Sequence, residues 1–178
     1  ASVLTGSARF VGSHPMAGSD KSSLAYAKAS LFDGRACIIT PEETTDADAV
    51  NSLTAFWEAL GMRVSTMTPD AHDALVARIS HLPHLLSSAL CSQLALLESD
   101  DLHLSGAGLR DTTRIAAGDP GLWNAIFSQN KEQLIAAVEE YENSLSQIKN
   151  AINANDTEAV MRILSVAKEL RLALDRTE

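Results

Sequence analysis

Asp70–Glu98 reads DAHDALVARISHLPHLLSSALCSQLALLE, with apolar residues Leu75, Ile79, Leu82, Leu86, Leu90, Leu94 and Leu97 recurring at helical spacing. Such spacing predicts one long helix with one face in a core. The same helix carries Ser80, His81 and His84, and Pro83 sits between the histidines. Ser80 and His84 are four residues apart and so project from one face, one turn apart. Pro83 has no N–H for the carbonyl of Ile79 and crowds it, so a bend is expected beside the polar pair. A helix that admits a proline and two imidazoles among its leucines points to a site.

Upstream of this helix the chain changes character, which places a domain boundary at 68/69. Arg9–Ser13 (RFVGS), Arg35–Thr40 (RACIIT) and Met62–Met67 (MRVSTM) read as strands. Asp46–Leu60 reads as a helix with Val50, Leu53, Phe56, Trp57 and Leu60 on one side, closed by Gly61. Strand, helix and strand at this spacing are an α/β signature.

Downstream everything reads as helix. Arg110–Ala117 is a short helix stopped by Gly118, and Asp119-Pro120 is an N-cap with proline at the first helical position. In the next helix Phe127, Lys131, Leu134, Val138, Tyr141, Leu145, Ile148 and Ile152 form a coiled-coil-like seam. Asn155 and Glu158 then read as a capping box that starts a last helix, apolar at Val160, Ile163, Leu164, Ala167, Leu170 and Leu174. Two narrow apolar seams after a broadly apolar helix point to a homodimer, with an ordinary monomeric bundle as the alternative.

Composition narrows the function classes. With 46% hydrophobic residues in 178, the chain can bury a real core. A net charge of −9 and a pI of about 4.9 argue against a broad nucleic-acid-binding face. No apolar run approaches the ~18 residues of a membrane span. Cys37 and Cys91 stand far apart in apolar contexts, as buried reduced thiols do, and a cytoplasmic protein without an export signal is expected.

His14, in Gly12-Ser13-His14-Pro15-Met16-Ala17-Gly18, lies at a strand's C-terminal end, where α/β sheets place ligands. A neutral imidazole there can accept a proton, although strand-end histidines also serve as plain loop hydrogen-bonding groups. His81 and His84, with His72 and His103 in the same stretch, invite a zinc reading, but H-x-x-H without a third ligand does not carry one. Ser80 and His84 read instead as hydrogen-bonding groups in a cleft. Arg110 and Arg114, four apart, suit a dicarboxylate or phosphate, or else pair with Asp111 and Asp119. Trp123 walls a pocket or is plain core. Gly106-Ala107-Gly108 follows no strand and lacks a third glycine, so it is no dinucleotide loop. Ser165-Val166-Ala167-Lys168 fits S-x-x-K inside a helix seam, without a supporting motif.

Taken together, GSHPMAG (12–18), SHLPH (80–84) and RDTTRIAAGDPGLW (110–123) resemble the prephenate/arogenate dehydrogenase family of tyrosine biosynthesis. The resemblance implies an NAD- or NADP-dependent oxidative decarboxylation of prephenate to 4-hydroxyphenylpyruvate, or the matching reaction of arogenate. It also implies an α/β nucleotide-binding domain followed by an all-helical dimerisation domain. On this chain those become the C-terminal portion of a Rossmann-like domain over 1–68 and a helical substrate-binding and dimerisation domain over 69–178. By position, His14 matches the histidine that takes the ring hydroxyl's proton. Ser80 and His84 match substrate-pocket residues, and Arg114 the arginine that holds a carboxylate. Arg110 falls where the family has a basic residue near the pocket, and Trp123 where it often has a pocket aromatic.

Three departures accompany the resemblance. The glycine-rich phosphate loop and acidic ribose-binding residue are missing, as is the family's active-site serine before the GSHPMAG strand. Ser19-Asp20-Lys21-Ser22-Ser23 stands where Glu and then Gly are common. The chain is accordingly expected to be a fragment, inactive alone, with no cofactor-binding residue and no metal site of its own. A regulatory domain beyond Glu178 is not expected, and tyrosine feedback is then expected to act at the active site. The competing expectations are a non-catalytic helical dimerisation or regulatory module and a dehydrogenase of another hydroxy or 2-oxo acid.

Overall fold

The computed structural model describes residues 9–18, 27–97 and 99–175. The stretch 19–23 and the predicted end of the long helix at Glu98 lie outside them. Two compact units divide the chain, Ala1–Lys131 and Glu132–Glu178, and the 68/69 boundary falls inside the first.

The first unit opens with a three-stranded sheet of β1 (Gly12–Pro15), β2 (Ala36–Thr40) and β3 (Arg63–Thr66), with β2 in the middle. Cys37, Ile38 and Ile39 are buried, as a strand paired on both edges and covered on both faces requires. β2 and β3 run parallel, joined by α1 (Ala47–Ala59), which is the crossover that the strand–helix–strand pattern predicts. The Asp46 side chain caps α1 by accepting from the Ala49 N–H at 2.8 Å. Gly61 ends it at φ +84°, where a Cβ would stand 2.9 Å from Asp33 Oδ1.

β1 departs from expectation. It begins at Gly12, three residues beyond the predicted start, and runs antiparallel to β2, setting His14 opposite Ile38. The apolar Phe10-Val11 pair drew the prediction N-terminally; Phe10 is more than half exposed and precedes the strand.

The long helix is three pieces: α2 (Pro69–Val76), a π-helical turn (Ala77–His81) and α3 (Leu82–Leu94). Pro83 removes the N–H that Ile79 would have bonded, and the backbone widens just before it: Leu82 N–H reaches back five residues to Ala77. The chain continues through α4 (Ser99–Leu102), α5 (Ala107–Thr113), a 3-10 turn (Arg114–Ala117) and α6 (Pro120–Gln129). Asp119 caps α6 as expected, accepting from Leu122 N–H at 2.7 Å.

Helices α7 (Lys131–Asn153) and α8 (Thr157–Leu174) follow. The seam expected from Phe127 onwards is broken at Asn130, so α6 and α7 are separate helices. Asn155 does not cap α8. It takes the left-handed conformation (φ 53°) that closes α7, Asp156 N–H bonds Ala151 O at 2.9 Å, and Asp156 caps α8 through Ala159 N–H. Among the described residues, no helix is long and apolar enough to cross a membrane.

Candidate active site

His14 stands on β1 with one ring edge against α2. Its Nδ1 lies 2.9 Å from His72 Nε2, and His72 Nδ1 lies 2.8 Å from Asp73 Oδ1. Thr68 and Pro69 start α2 just beyond β3, which puts His72 on its first full turn, beside the sheet. Partial burial of the ring, then the neighbouring His72 imidazole, holds the His14 pKa below the ordinary 6.5, although the residue keeps an open face to solvent. Burial pushes the Cys37 thiol up, against an opposing contact with the His14 backbone, so it remains an unreactive neighbour.

His81, in the π turn, is buried and held low by that burial, with Asp73 opposing and His14 and His72 adding to it. The Asn130 amide reaches both Asp73 O, at 2.8 Å, and His81 Nδ1, at 3.3 Å. The break between α6 and α7 thus delivers a side chain to the imidazole cluster.

The second group is aromatic. His84 stacks on Trp123 with centroids 3.6 Å apart and planes 10° from parallel, and Phe127 stands edge-on to His84 and tilted to Trp123. Gly118 makes the stack fit: a Cβ there would lie 2.5 Å from Trp123 Nε1 and 2.9 Å from His84 Cε1. Burial holds the His84 pKa low. Ser87 Oγ donates to Thr112 O at 3.1 Å, tying α3 to α5. His81, His84 and Ser87, three residues apart, therefore form the buried polar stripe of this helix, with Ser80 half-buried beside it.

Arg110 and Arg114 are exposed on α5 and the 3-10 turn, and among the described residues neither forms an ion pair, so the alternative of pairing with Asp111 or Asp119 is not seen. Unpaired guanidinium groups are ready to take an anion. Among the described residues no cluster of His, Cys, Asp and Glu could hold a metal ion. The groups on hand are a proton-accepting imidazole at His14, a stacked aromatic pair at His84 and Trp123, and two exposed guanidinium groups at Arg110 and Arg114.

Residues 68–166 match the family model described as prephenate dehydrogenase, dimerization domain, and residues 1–66 the model described as prephenate dehydrogenase, nucleotide-binding domain. The chain belongs to the prephenate dehydrogenase family. It is 34% identical to the prephenate dehydrogenase of Bacillus subtilis over 95% of its own length and 46% of that protein's. It is 30% identical to the cyclohexadienyl dehydrogenase of Zymomonas mobilis over 92% and 57%. The chain thus spans about half the length of these relatives. Among solved structures, the Aquifex aeolicus prephenate dehydrogenase in complex with hydroxyphenyl propionate and NAD+ superposes with a TM-score of 0.87 at 36% identity, over 93% of this chain and 59% of that one. Synechocystis arogenate dehydrogenase gives 0.84 at 30%, over 93% and 61%.

Of the residues that the prephenate dehydrogenase resemblance selects, the structure pairs His84 with Trp123. No hydrogen bond joins His14 to Ser80, His84 or Arg114; its partner is His72, and His81 is its electrostatic neighbour. The sequence reading missed the roles of His72, Asp73, Asn130 and Gly118. Its one usable signal for Asn130 was a poor helix former ahead of Lys131, the only charge in an apolar seam.

The family's first domain is a nucleotide-binding one. The strand-to-helix turn between β2 and α1, Pro41-Glu42-Glu43-Thr44-Thr45-Asp46, has three acids and no glycine, and that between β3 and α2 is Met67-Thr68. Neither fits a dinucleotide pyrophosphate, which needs glycine turns and open N–H groups without facing carboxylates.

Proposed function

We propose that this chain forms the substrate-holding and proton-accepting part of a dehydrogenase that oxidatively decarboxylates prephenate, or its amino counterpart arogenate, with NAD or NADP as oxidant. The observation that carries the reading is His14: an imidazole held below its ordinary pKa, with one nitrogen committed to His72 and the other free. The substrate's ring hydroxyl must lose its proton as the ring is oxidised, and an uncharged imidazole is the acceptor this chemistry needs at neutral pH. Loss of carbon dioxide and gain of aromaticity drive the step, so the protein's part is to orient the ring and accept one proton. Arg114, with Arg110, holds the carboxylates, and Ser80, His84 and Trp123 line the pocket. Neither described strand-to-helix turn suits the oxidant's pyrophosphate. Residues 1–68 supply His14 and 69–178 the carboxylate-holding and dimerising parts.

Three further assignments rest on the same reading. The large apolar side chains exposed on α7 and α8 support a homodimer. Both cysteines are free thiols, which supports a reducing, cytoplasmic setting. Tyrosine, with a hydroxyphenyl ring and a carboxylate, would compete at this pocket.

Titration of the chain with prephenate, arogenate and 4-hydroxyphenylpyruvate, followed by tryptophan fluorescence, tests the reading. We expect saturable quenching, weakened about ten- to a hundredfold by Arg114→Ala through the loss of a charge-assisted contact. A tight dimer that responds to none of the three would overturn it and favour a non-catalytic dimerisation module.

A further inference from the structure

We infer that Asp73 sets two neighbouring imidazoles in opposite tautomers: His14 with its free nitrogen as proton acceptor, and His81 with its free nitrogen as donor. Two contacts of a single residue carry this. The Asp73 carboxylate accepts from His72 Nδ1 at 2.8 Å, since an ionised carboxylate has no hydrogen to give. A neutral His72 protonated at Nδ1 has its lone pair on Nε2. The only hydrogen available to fill the 2.9 Å contact between His72 Nε2 and His14 Nδ1 then comes from His14. Neutral His14 therefore carries its proton on Nδ1 and leaves Nε2 unprotonated, in the form a general base must have.

The backbone of Asp73 does the complementary job. Its carbonyl oxygen, 2.8 Å from Asn130 Nδ2, fixes which way the amide faces, because the flipped amide would set oxygen against oxygen. The second amide hydrogen then points at His81 Nδ1, 3.3 Å away. His81 must accept there, which puts its own proton on Nε2. Half of the Asp73 side chain is open to solvent, while His81 is buried and cannot choose its tautomer by exchange with water.

Asp73, His72 and Asn130 are thus positioning residues: they touch no substrate and act through His14 and His81. This inference rests on the proposed function only for what the two tautomers are used for. Their existence is independent of it, and the measurement keeps the two apart. Long-range 15N–1H correlation on the chain labelled with 15N-histidine, at a pH near 8, reads the tautomer of each ring directly. The five histidines are assigned by single His→Gln variants, with exposed His103 as the unconstrained reference.

The expected result is His14 and His72 protonated at Nδ1 and His81 at Nε2. Asp73→Ala removes the acceptor from His72 Nδ1, which releases His72 and with it His14 into tautomer mixtures, and leaves His81 as it was because the residue-73 carbonyl is main chain. Asn130→Ala releases His81 into a tautomer mixture and leaves His14 unchanged. Amide spectra of both variants report whether the fold is intact. A wild-type His14 protonated at Nε2 overturns the inference even if no variant folds, as does a folded Asp73→Ala chain whose His14 tautomer is unaltered. If the tautomers are as stated but no ring acid binds, the tautomer assignment stands and the functional reading falls.

Discussion

Gly118 decides more than its size implies. The residue packs against the edges of two stacked rings, and a single methyl group would lie 2.5 Å from Trp123 Nε1 and 2.9 Å from His84 Cε1. Phe127 also packs against both rings, edge-on to His84 and tilted to Trp123, which limits how far they can shift. Gly118→Ala should destabilise the fold by about 1–3 kcal/mol, the usual cost of overpacking, and should shift the Trp123 emission as the stack opens. Urea unfolding monitored by fluorescence measures both; an unchanged midpoint with unchanged emission would show that the stack yields freely. The sequence offered Gly118 only as a helix stop, which it is, since the 3-10 turn ends there. Its second role was illegible because the rings it separates come from residues 84 and 123, and no local pattern encodes a distance between them. The His14–His72 contact was hidden for the same reason, spanning 58 residues of chain through three strands.

At the scale of elements, the π turn and the break at Asn130 belong together. A regular helix through residues 77–81 would satisfy the backbone but set His81 at a different angle to its partners. Pro83 was legible and so was a disturbance beside it. That the disturbance takes the form of a widened turn, and that Asn130 reaches back to it, depends on tertiary contacts. The β2–α1–β3 crossover was readable outright, because Asp46, Gly61 and alternating apolar runs all agree locally. One consequence of the elements' packing is a pH effect. Burial is the main cause that lowers the pKa of His14 on β1, His81 in the π turn and His84 on α3. Well above pH 6.5 all three are neutral folded or unfolded, so they add no pH dependence there. As pH falls below 6.5 the unfolded chain takes up protons that the native state resists, and stability declines until the folded pKa values are passed. The urea midpoint should therefore be lower at pH 5 than at pH 8. His84→Phe, which keeps a stacking ring without a titrating group, should lessen the difference. An equal or higher midpoint at pH 5 would mean that these rings protonate without cost.

At the scale of the whole molecule, the unit Glu132–Glu178 leaves a series of large apolar side chains exposed. On α7, Leu145 is 52% exposed and Ile152 58%; on α8, Leu164 is 59% exposed and Leu170 63%. Isolated leucines at a surface need no explanation, but these recur at the seam positions of both helices, with Tyr141 among them. A second copy of the same chain is the partner that the dimerization-domain match supports, and a two-fold interface would set the same stripe against itself. Under that arrangement a carboxylate placed in the stripe meets apolar surface, and its symmetry mate brings a like charge. Leu145→Glu and Leu164→Glu should each weaken the dimer by well over tenfold in sedimentation equilibrium. Because both positions are exposed within the chain itself, helix content by circular dichroism should hold, separating loss of association from loss of folding. A wild-type chain that sediments as a monomer at tens of micromolar would remove the second copy from this surface. Variants that dimerise as well as the parent would move the interface to some other face.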